Sequence, residues 1–146
     1  MSKPEPEARE RYLHFQRIPT RWMDNDVYGH VNNVVYYSFF DTVVNQYLIE
    51  QGVLDIDDST TIGLVVETGC QYFSPVRFPD LVTGGLCVAR LGNSSVRYEV
   101  GIFRNDEALT AARGHFVHVY VDRGTRRPVP LPAALRQALE RIVPGA

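Results

Sequence analysis

"VVYYSFFDTVVNQYLIEQG", residues 34–52, is the stretch on which the fold turns. Its β-branched and aromatic residues have weak helix propensity. Spacing argues the other way. Val35, Phe39, Val43, Gln46 and Ile49 follow steps of three and four, and so do Tyr36, Phe40, Val43, Val44, Tyr47 and Leu48. Gly52 supplies a stop. Asp41, Asn45 and Glu50 are its few polar positions. A helix that is apolar nearly all round should be buried. A sheet covers part of it, and a second copy of the chain is expected to cover the rest, which makes a homodimer the working hypothesis.

The sheet is legible on either side of this helix. "HFQRIPTRWM", 14–23, reads as a first strand, with Pro19 marking an edge or a bulge. Downstream, "TIGLVVETGCQYF", "LVTGGLCVARL", "SVRYEVGIFRN" and "ALTAARGHFVHVYVD" read as four more strands. They are separated by "SPVRFPD", "GNS" and "NDE", all good turn chemistry. In the third of these runs, Val96, Tyr98, Val100 and Ile102 alternate with Arg97, Glu99 and Gly101. Short turns join the last three strands, so an antiparallel meander is the economical topology. "LPAALRQALERIV" closes the chain as a short amphipathic helix with Pro132 near its start. Residues 1–11, charged and proline-bearing, read as a disordered tail, and 12–146 as one α+β domain.

Composition narrows the function. With 146 residues, 15 basic and 17 acidic, the chain lacks the basic excess of a general nucleic-acid binder. It shows no signal peptide and no run approaching the roughly 20 apolar residues of a membrane span, so a cytoplasmic location is expected. Cys70 and Cys87 fit neither a zinc pattern nor the need for a disulfide. No G-x-S-x-G or Cys–His arrangement points to a serine or cysteine hydrolase.

What stands out is "DNDVYGHVNN", residues 24–33, just ahead of the helix. It places a carboxylate shortly before a helix start. A carboxylate can attack or activate water. Backbone N–H groups at a helix start can hold a developing oxyanion. Gly29 permits close approach of a ligand to the backbone. The plain reading also stands: Asp24 and Asp26 can be turn formers, and Asn32 or Asn33 an N-cap. His30 can orient Asp26, contact a substrate or sit buried with a partner. Tyr36 and Tyr37 read as core or interface aromatics.

The combination D-x-D-x-x-G-H-V-N-N-x-x-Y, followed by a long helix and then by Tyr72, Pro75 and Asp80 in "QYFSPVRFPD", resembles the hotdog-fold thioesterases. The nearest group is the 4-hydroxybenzoyl-CoA thioesterase family with its bacterial acyl-CoA thioesterase members. The likeness covers about residues 12–131. It implies a curved five-stranded antiparallel sheet wrapped around one long buried helix, paired into dimers and often tetramers. It also implies hydrolysis of an acyl-CoA to free acid and CoA, with no metal or cofactor beyond the substrate's own coenzyme A.

By this resemblance Asp26 is the working carboxylate and the backbone N–H of Asn33 the polarising donor, with His30 beside them. Gly29, Asn32, Tyr36 and Glu67 are candidate substrate contacts. Glu67 and Asp41 are the competing carboxylates. For the CoA phosphates, Arg77, Arg90, Ser94, Ser95 and Arg97 are candidates, although Leu91-Gly92-Asn93 is not the basic cluster some members carry. Acyl carrier protein therefore stays open as the thioester carrier. An acyl-thioester hydratase or dehydratase, and a non-catalytic acyl-CoA binding module, are the alternatives on the same fold.

Overall fold

A computed structural model describes residues 3–145. Strand β1 (His14–Pro19) is followed by a 3-10 turn at Trp22–Asp24, helix α1 (Val35–Glu50), strands β2 (Thr61–Tyr72), β3 (Leu81–Leu91), β4 (Ser95–Arg104) and β5 (Ala112–Asp122), and helix α2 (Ala133–Glu140). The five strands form one antiparallel sheet in the order β1-β3-β4-β5-β2. The β3-β4-β5 meander is the one the short turns implied. β2 crosses over to pair with β5 and becomes an edge. Register shifts at Val65/Glu67 and Val88/Arg90 insert bulges, which increase local twist and help the sheet curl around α1.

β1 stops at Pro19, short of the expected Met23. Thr20 donates through both its N–H and its hydroxyl to the Asp80 carbonyl, which bends the chain off the sheet edge. α1 lies across the concave face, packed chiefly on β3, β1 and β4. Tyr36, Phe39, Phe40, Val43, Val44, Tyr47 and Leu48 are its buried side chains. Of the two apolar rows read in the sequence, the one from Tyr36 to Leu48 is buried throughout. The other is partly open: Val35 and Gln46 are half-buried, and Ile49 is 45% exposed. The outward face carries Ser38, Asp41, Thr42 and Glu50. The expectation of a helix apolar all round is therefore corrected. Exposed apolar surface sits instead on β2, where Leu64, Val65 and Val66 are 37%, 47% and 59% exposed.

Val96, Tyr98, Val100 and Ile102 are all fully buried beneath the helix, as their alternation required. Phe40 reaches β5 at Gly114, where an added Cβ would come within 2.2 Å of its Cζ; only glycine lets the ring pass. α2 is anchored by Leu135, Ala138 and Leu139, and by the Tyr47 hydroxyl donating to the Ala138 carbonyl at 2.6 Å.

The segment expected as a tail is, from Glu7 onward, held to the sheet. Glu7 and Thr110 exchange backbone and hydroxyl hydrogen bonds. Arg9 lies 4.5 Å over the Phe103 ring, and Arg11 pairs with Glu99. The charges that suggested a free tail are the groups that tie it down. Residues 1 and 2 of that tail lie outside the described residues. Cys70 and Cys87 are both free thiols. Among the described residues no helix is long and apolar enough to cross a membrane.

Candidate active site

The loop between β1 and α1 is built on two aspartates with different tasks. Asp24 is 1% exposed. Its carboxylate accepts from the Arg21 backbone N–H at 2.7 Å and from the Arg21 guanidinium at 3.0 and 2.8 Å. All its capacity goes into fixing the loop. Asp26 is half-buried. Its Oδ1 accepts from the Tyr28 N–H at 2.9 Å, while its Oδ2 has no partner among the described residues. Its backbone N–H donates to the His30 carbonyl at 2.9 Å, and Gly29 donates back to the Asp26 carbonyl at 3.0 Å. Gly29 takes φ 83°, the left-handed conformation that lets the turn close.

The loop then meets the helix start and the segment after β2. Val31 donates to the Val76 carbonyl at 2.7 Å, and the Phe78 N–H to the Asn25 side chain at 3.1 Å. Asn32 fixes the turn that leads into the helix, whose N-cap is Val34: its Oδ1 accepts from Val34 N–H at 3.2 Å, and its carbonyl from Val35 N–H at 2.9 Å. Asn33 is exposed, and its own N–H finds no acceptor among the described residues. Its carbonyl accepts from the Tyr72 hydroxyl at 3.0 Å.

These elements enclose an open groove of about 310 Å³, lined by His30, Val31, Asn33, Tyr36, Tyr72, Phe73, Ser74 and Pro75. Asp26 adjoins this groove through His30 and is not on its wall. Tyr36 is 3% exposed and meets Tyr72 edge to face at 5.0 Å. Burial pushes its hydroxyl up to about 12, so it stays neutral and serves as wall. Burial also raises the Tyr72 hydroxyl, and it pushes the Cys70 thiol up to about 11, which leaves that sulfur inert.

The structure thus brings together Asp26, Gly29, His30, Asn32, Asn33 and Tyr36. It keeps Glu67 apart. Glu67 is on the sheet face opposite Phe116, 2.8 Å from His115 and 3.6 Å from Arg97. Asp41 faces outward on α1, its carboxyl held above the ordinary carboxylate range by partial burial. Arg77 has an exposed side chain on the loop tied by Asp80, whose carboxylate accepts from the Arg77 N–H at 2.9 Å. Arg90, Ser94 and Ser95 lie at the β3–β4 turn, where Arg136 of α2 braces the Gly92 carbonyl at 2.7 Å. Ser95 is in register with Val119 and so with Leu64, whereas the groove is at Tyr72. Those eight residues of strand are roughly 26 Å at about 3.3 Å each.

Tyr72, Phe73, Ser74 and Pro75 were not among the site residues expected from sequence. The spacing of Tyr72, Pro75 and Asp80 was the signal that could have placed them there.

A family model described as the thioesterase-like superfamily matches residues 20–139. The chain belongs to that superfamily. The PA5185 protein of Pseudomonas aeruginosa superposes with a TM-score of 0.94 at 56% identity, covering 97% of this chain and 99% of that one. The PA2801 protein of the same organism, described as a candidate thioesterase, matches with a TM-score of 0.80 at 30% identity over 87% and 98% of the two chains. A 1,4-dihydroxy-2-naphthoyl-CoA thioesterase of Synechocystis shares the fold, with a TM-score of 0.78 at 17% identity over 86% and 93%. Against curated proteins the chain has no match. The superfamily member described here is accordingly a hotdog-fold thioester hydrolase.

Proposed function

We propose that this thioesterase hydrolyses an acyl-CoA at the groove between the 24–33 loop and the start of α1, with Asp26 as nucleophile or general base. The observation that carries the reading is a free carboxylate oxygen on Asp26 beside a helix start whose Asn33 N–H is unengaged. Water or the carboxylate attacks the thioester carbon. The negative charge on the carbonyl oxygen is held by the Asn33 N–H, helped by the helix dipole. With water as the attacker, Asp26 takes its proton, the C–S bond breaks, the proton passes to the sulfur and the free acid leaves. With the carboxylate as the attacker, the C–S bond breaks to give CoA thiolate and an Asp26–acyl anhydride, which water then hydrolyses to the free acid and the regenerated carboxylate. His30, on the groove wall, orients the substrate. The hydratase alternative wants a His–carboxylate pair in the groove. Among the described residues the close His–carboxylate pair is His115–Glu67, on the other face of the sheet.

The groove is shallow in one chain. β2 leaves an unpaired edge of 12 residues with exposed Leu64, Val65 and Val66, the kind of edge another strand covers. A second copy pairing there makes a homodimer and walls the groove. Dimers of this dimer would give the tetramer.

The test is a panel of short, long and aromatic acyl-CoAs, with free thiol followed colorimetrically for wild type and Asp26→Asn. Aromatic acyl groups belong in it because Tyr36, Tyr72 and Phe73 line the groove. Thiol release that falls by at least about a hundredfold in the variant supports the reading. Equal release from both removes Asp26 from the chemistry and advances Asp41. Binding without cleavage makes the chain a binding module.

A further inference from the structure

α1 rests chiefly on β3, β1 and β4. Beside its second half, against β2 and β5, lies a cavity of about 190 Å³ walled by Leu48, Leu54, Ile56 and Ile62. A second cavity of about 300 Å³ adjoins it through Leu48, Leu54 and Tyr120. Both are at the far end of α1 from the 24–33 loop, roughly 15–20 Å along the axis at about 1.5 Å per residue.

Two polar side chains lining the smaller cavity have unused nitrogens. His118 is 4% exposed, and its Nε2 has no hydrogen-bond partner among the described residues. Burial pushes its imidazole down to about 4, so the ring is neutral and has one N–H to donate. Arg123 uses Nη1 and Nη2 on the Asp57 and Ile56 carbonyls at 3.0 and 2.8 Å. Its buried Nε has no acceptor, and no carboxylate pairs with the guanidinium among the described residues. Gly63 leaves the histidine accessible: a Cβ there would come 2.9 Å from His118 Nδ1 and 3.0 Å from the Tyr120 ring. Buried donors of this kind are normally satisfied. An apolar wall, an unpaired cation and a neutral donor together complement an oxygen acceptor on a hydrocarbon body.

We propose that this cavity binds an apolar organic acid, with its hydrocarbon body against Leu48, Leu54, Ile56 and Ile62 and its carboxylate on Arg123 and His118. Carboxylic acids are what a thioester hydrolase releases, so such a ligand is chemically at hand. The proposal does not depend on Asp26 being the catalytic carboxylate.

Calorimetric titration of the full chain with octanoate, and with 1-octanol as the same body lacking the carboxylate, tests it. Octanoate should bind at least about tenfold more tightly than octanol, the scale of one charge-assisted hydrogen bond. His118→Phe and Arg123→Gln should each weaken octanoate by about the same factor. Gly63→Ala, which narrows the cavity, should also weaken it. Arg123→Gln also loosens the 55–60 loop, so His118→Phe, checked by a thermal melt, is the deciding variant. Asp26→Asn should bind octanoate as the wild type does. The proposal is overturned if octanoate fails to bind at millimolar concentration or binds no better than octanol. It is equally overturned if octanoate binds His118→Phe as tightly as the wild type; loss of binding in Asp26→Asn alongside would place the acid at the loop.

Discussion

Asp24 and Asp26 stand two residues apart, and the structure separates their duties, so exchanging each for asparagine should give opposite phenotypes. Asp24→Asn removes the charge from a buried acceptor of three hydrogen bonds from Arg21. Bonds to charged groups contribute roughly 1.5–3 kcal/mol each when buried. The Arg21 side chain is 65% exposed, so most of that is screened. A net loss of about 2 kcal/mol is expected, and for a chain of this size that lowers Tm by roughly 4–8 °C. Asp26→Asn keeps an oxygen to accept from the Tyr28 N–H, so its stability should change by less than about 0.5 kcal/mol, or about 2 °C. Its turnover should fall by at least about a hundredfold. Thermal melts and thiol-release kinetics on the same preparations read both quantities. Asp24→Asn should retain most of kcat at a temperature where it is folded. The reasoning is refuted if Asp24→Asn melts with the wild type yet loses activity as fully as Asp26→Asn. A large Tm loss in Asp26→Asn refutes it too, because that would make Asp26 another loop fastener.

Tyr72→Phe removes the hydroxyl that holds the Asn33 carbonyl. It should cost about 1 kcal/mol of stability and lower kcat more than it raises KM, because the helix start is left less well oriented. His118 has its imidazole pushed down to about 4 in the folded state against 6.5 for the free group. Between those values the unfolded chain binds the extra proton, so stability should fall with pH from about 6.5 to 4, by up to roughly 3 kcal/mol. His14, also lowered by burial, adds in the same direction. Urea melts across that range check this, and His118→Phe should flatten most of the slope. Phe40→Ala empties the centre of the core and should cost about 3–5 kcal/mol. Gly114→Ala drives a methyl into the same ring and should cost about 1–3 kcal/mol. Denaturant midpoints compare the two. If β2 forms the proposed dimer edge, Val65→Lys should shift that dimer toward monomer in light scattering and lower activity with it.

Strand β4 was the plainest to read because its apolar residues keep a period of two. Val96 to Ile102 alternate without a break, and every one of them is buried. The helix could be placed but not oriented. Its two apolar rows share Val43 and are equally good on paper, and the one that holds Phe40 is favoured by Gly114, which lets that ring approach β5. That glycine lies far along the sequence from the helix. The loop was legible as chemistry because glycine, aspartates and asparagines serve both a tight turn and a helix start. Which residue holds Asp24 in the turn was not legible, since Arg21 looked like any surface charge. Glu67 was misleading for a related reason: a carboxylate in an apolar run suggests a pocket, but beyond the bulge after Val65 it faces His115 and Arg97 on the other side of the sheet.

The arginine and serine turn poses a geometric problem. Arg90, Ser94 and Ser95 sit at the end of the sheet opposite Tyr72, roughly 26 Å away along the strand at about 3.3 Å per residue. Antiparallel pairing of β2 with its own copy reverses direction across the new edge. The Tyr72 end of one copy then lies beside the Thr61 end of the other. Each groove would face the partner's 55–60 loop and stand nearer its β3–β4 turn. In the proposed dimer a CoA would then span two chains, with its thioester by Asp26 of one and its phosphates toward the other. Arg90→Ala should then raise KM for acyl-CoA with kcat kept. Mixing Arg90→Ala chains with Asp26→Asn chains should restore a quarter to a half of wild-type sites, on the order expected when each site draws one part from each copy. If phosphates and thioester were bound within one chain, no mixed dimer would hold a complete site, and mixing would restore nothing.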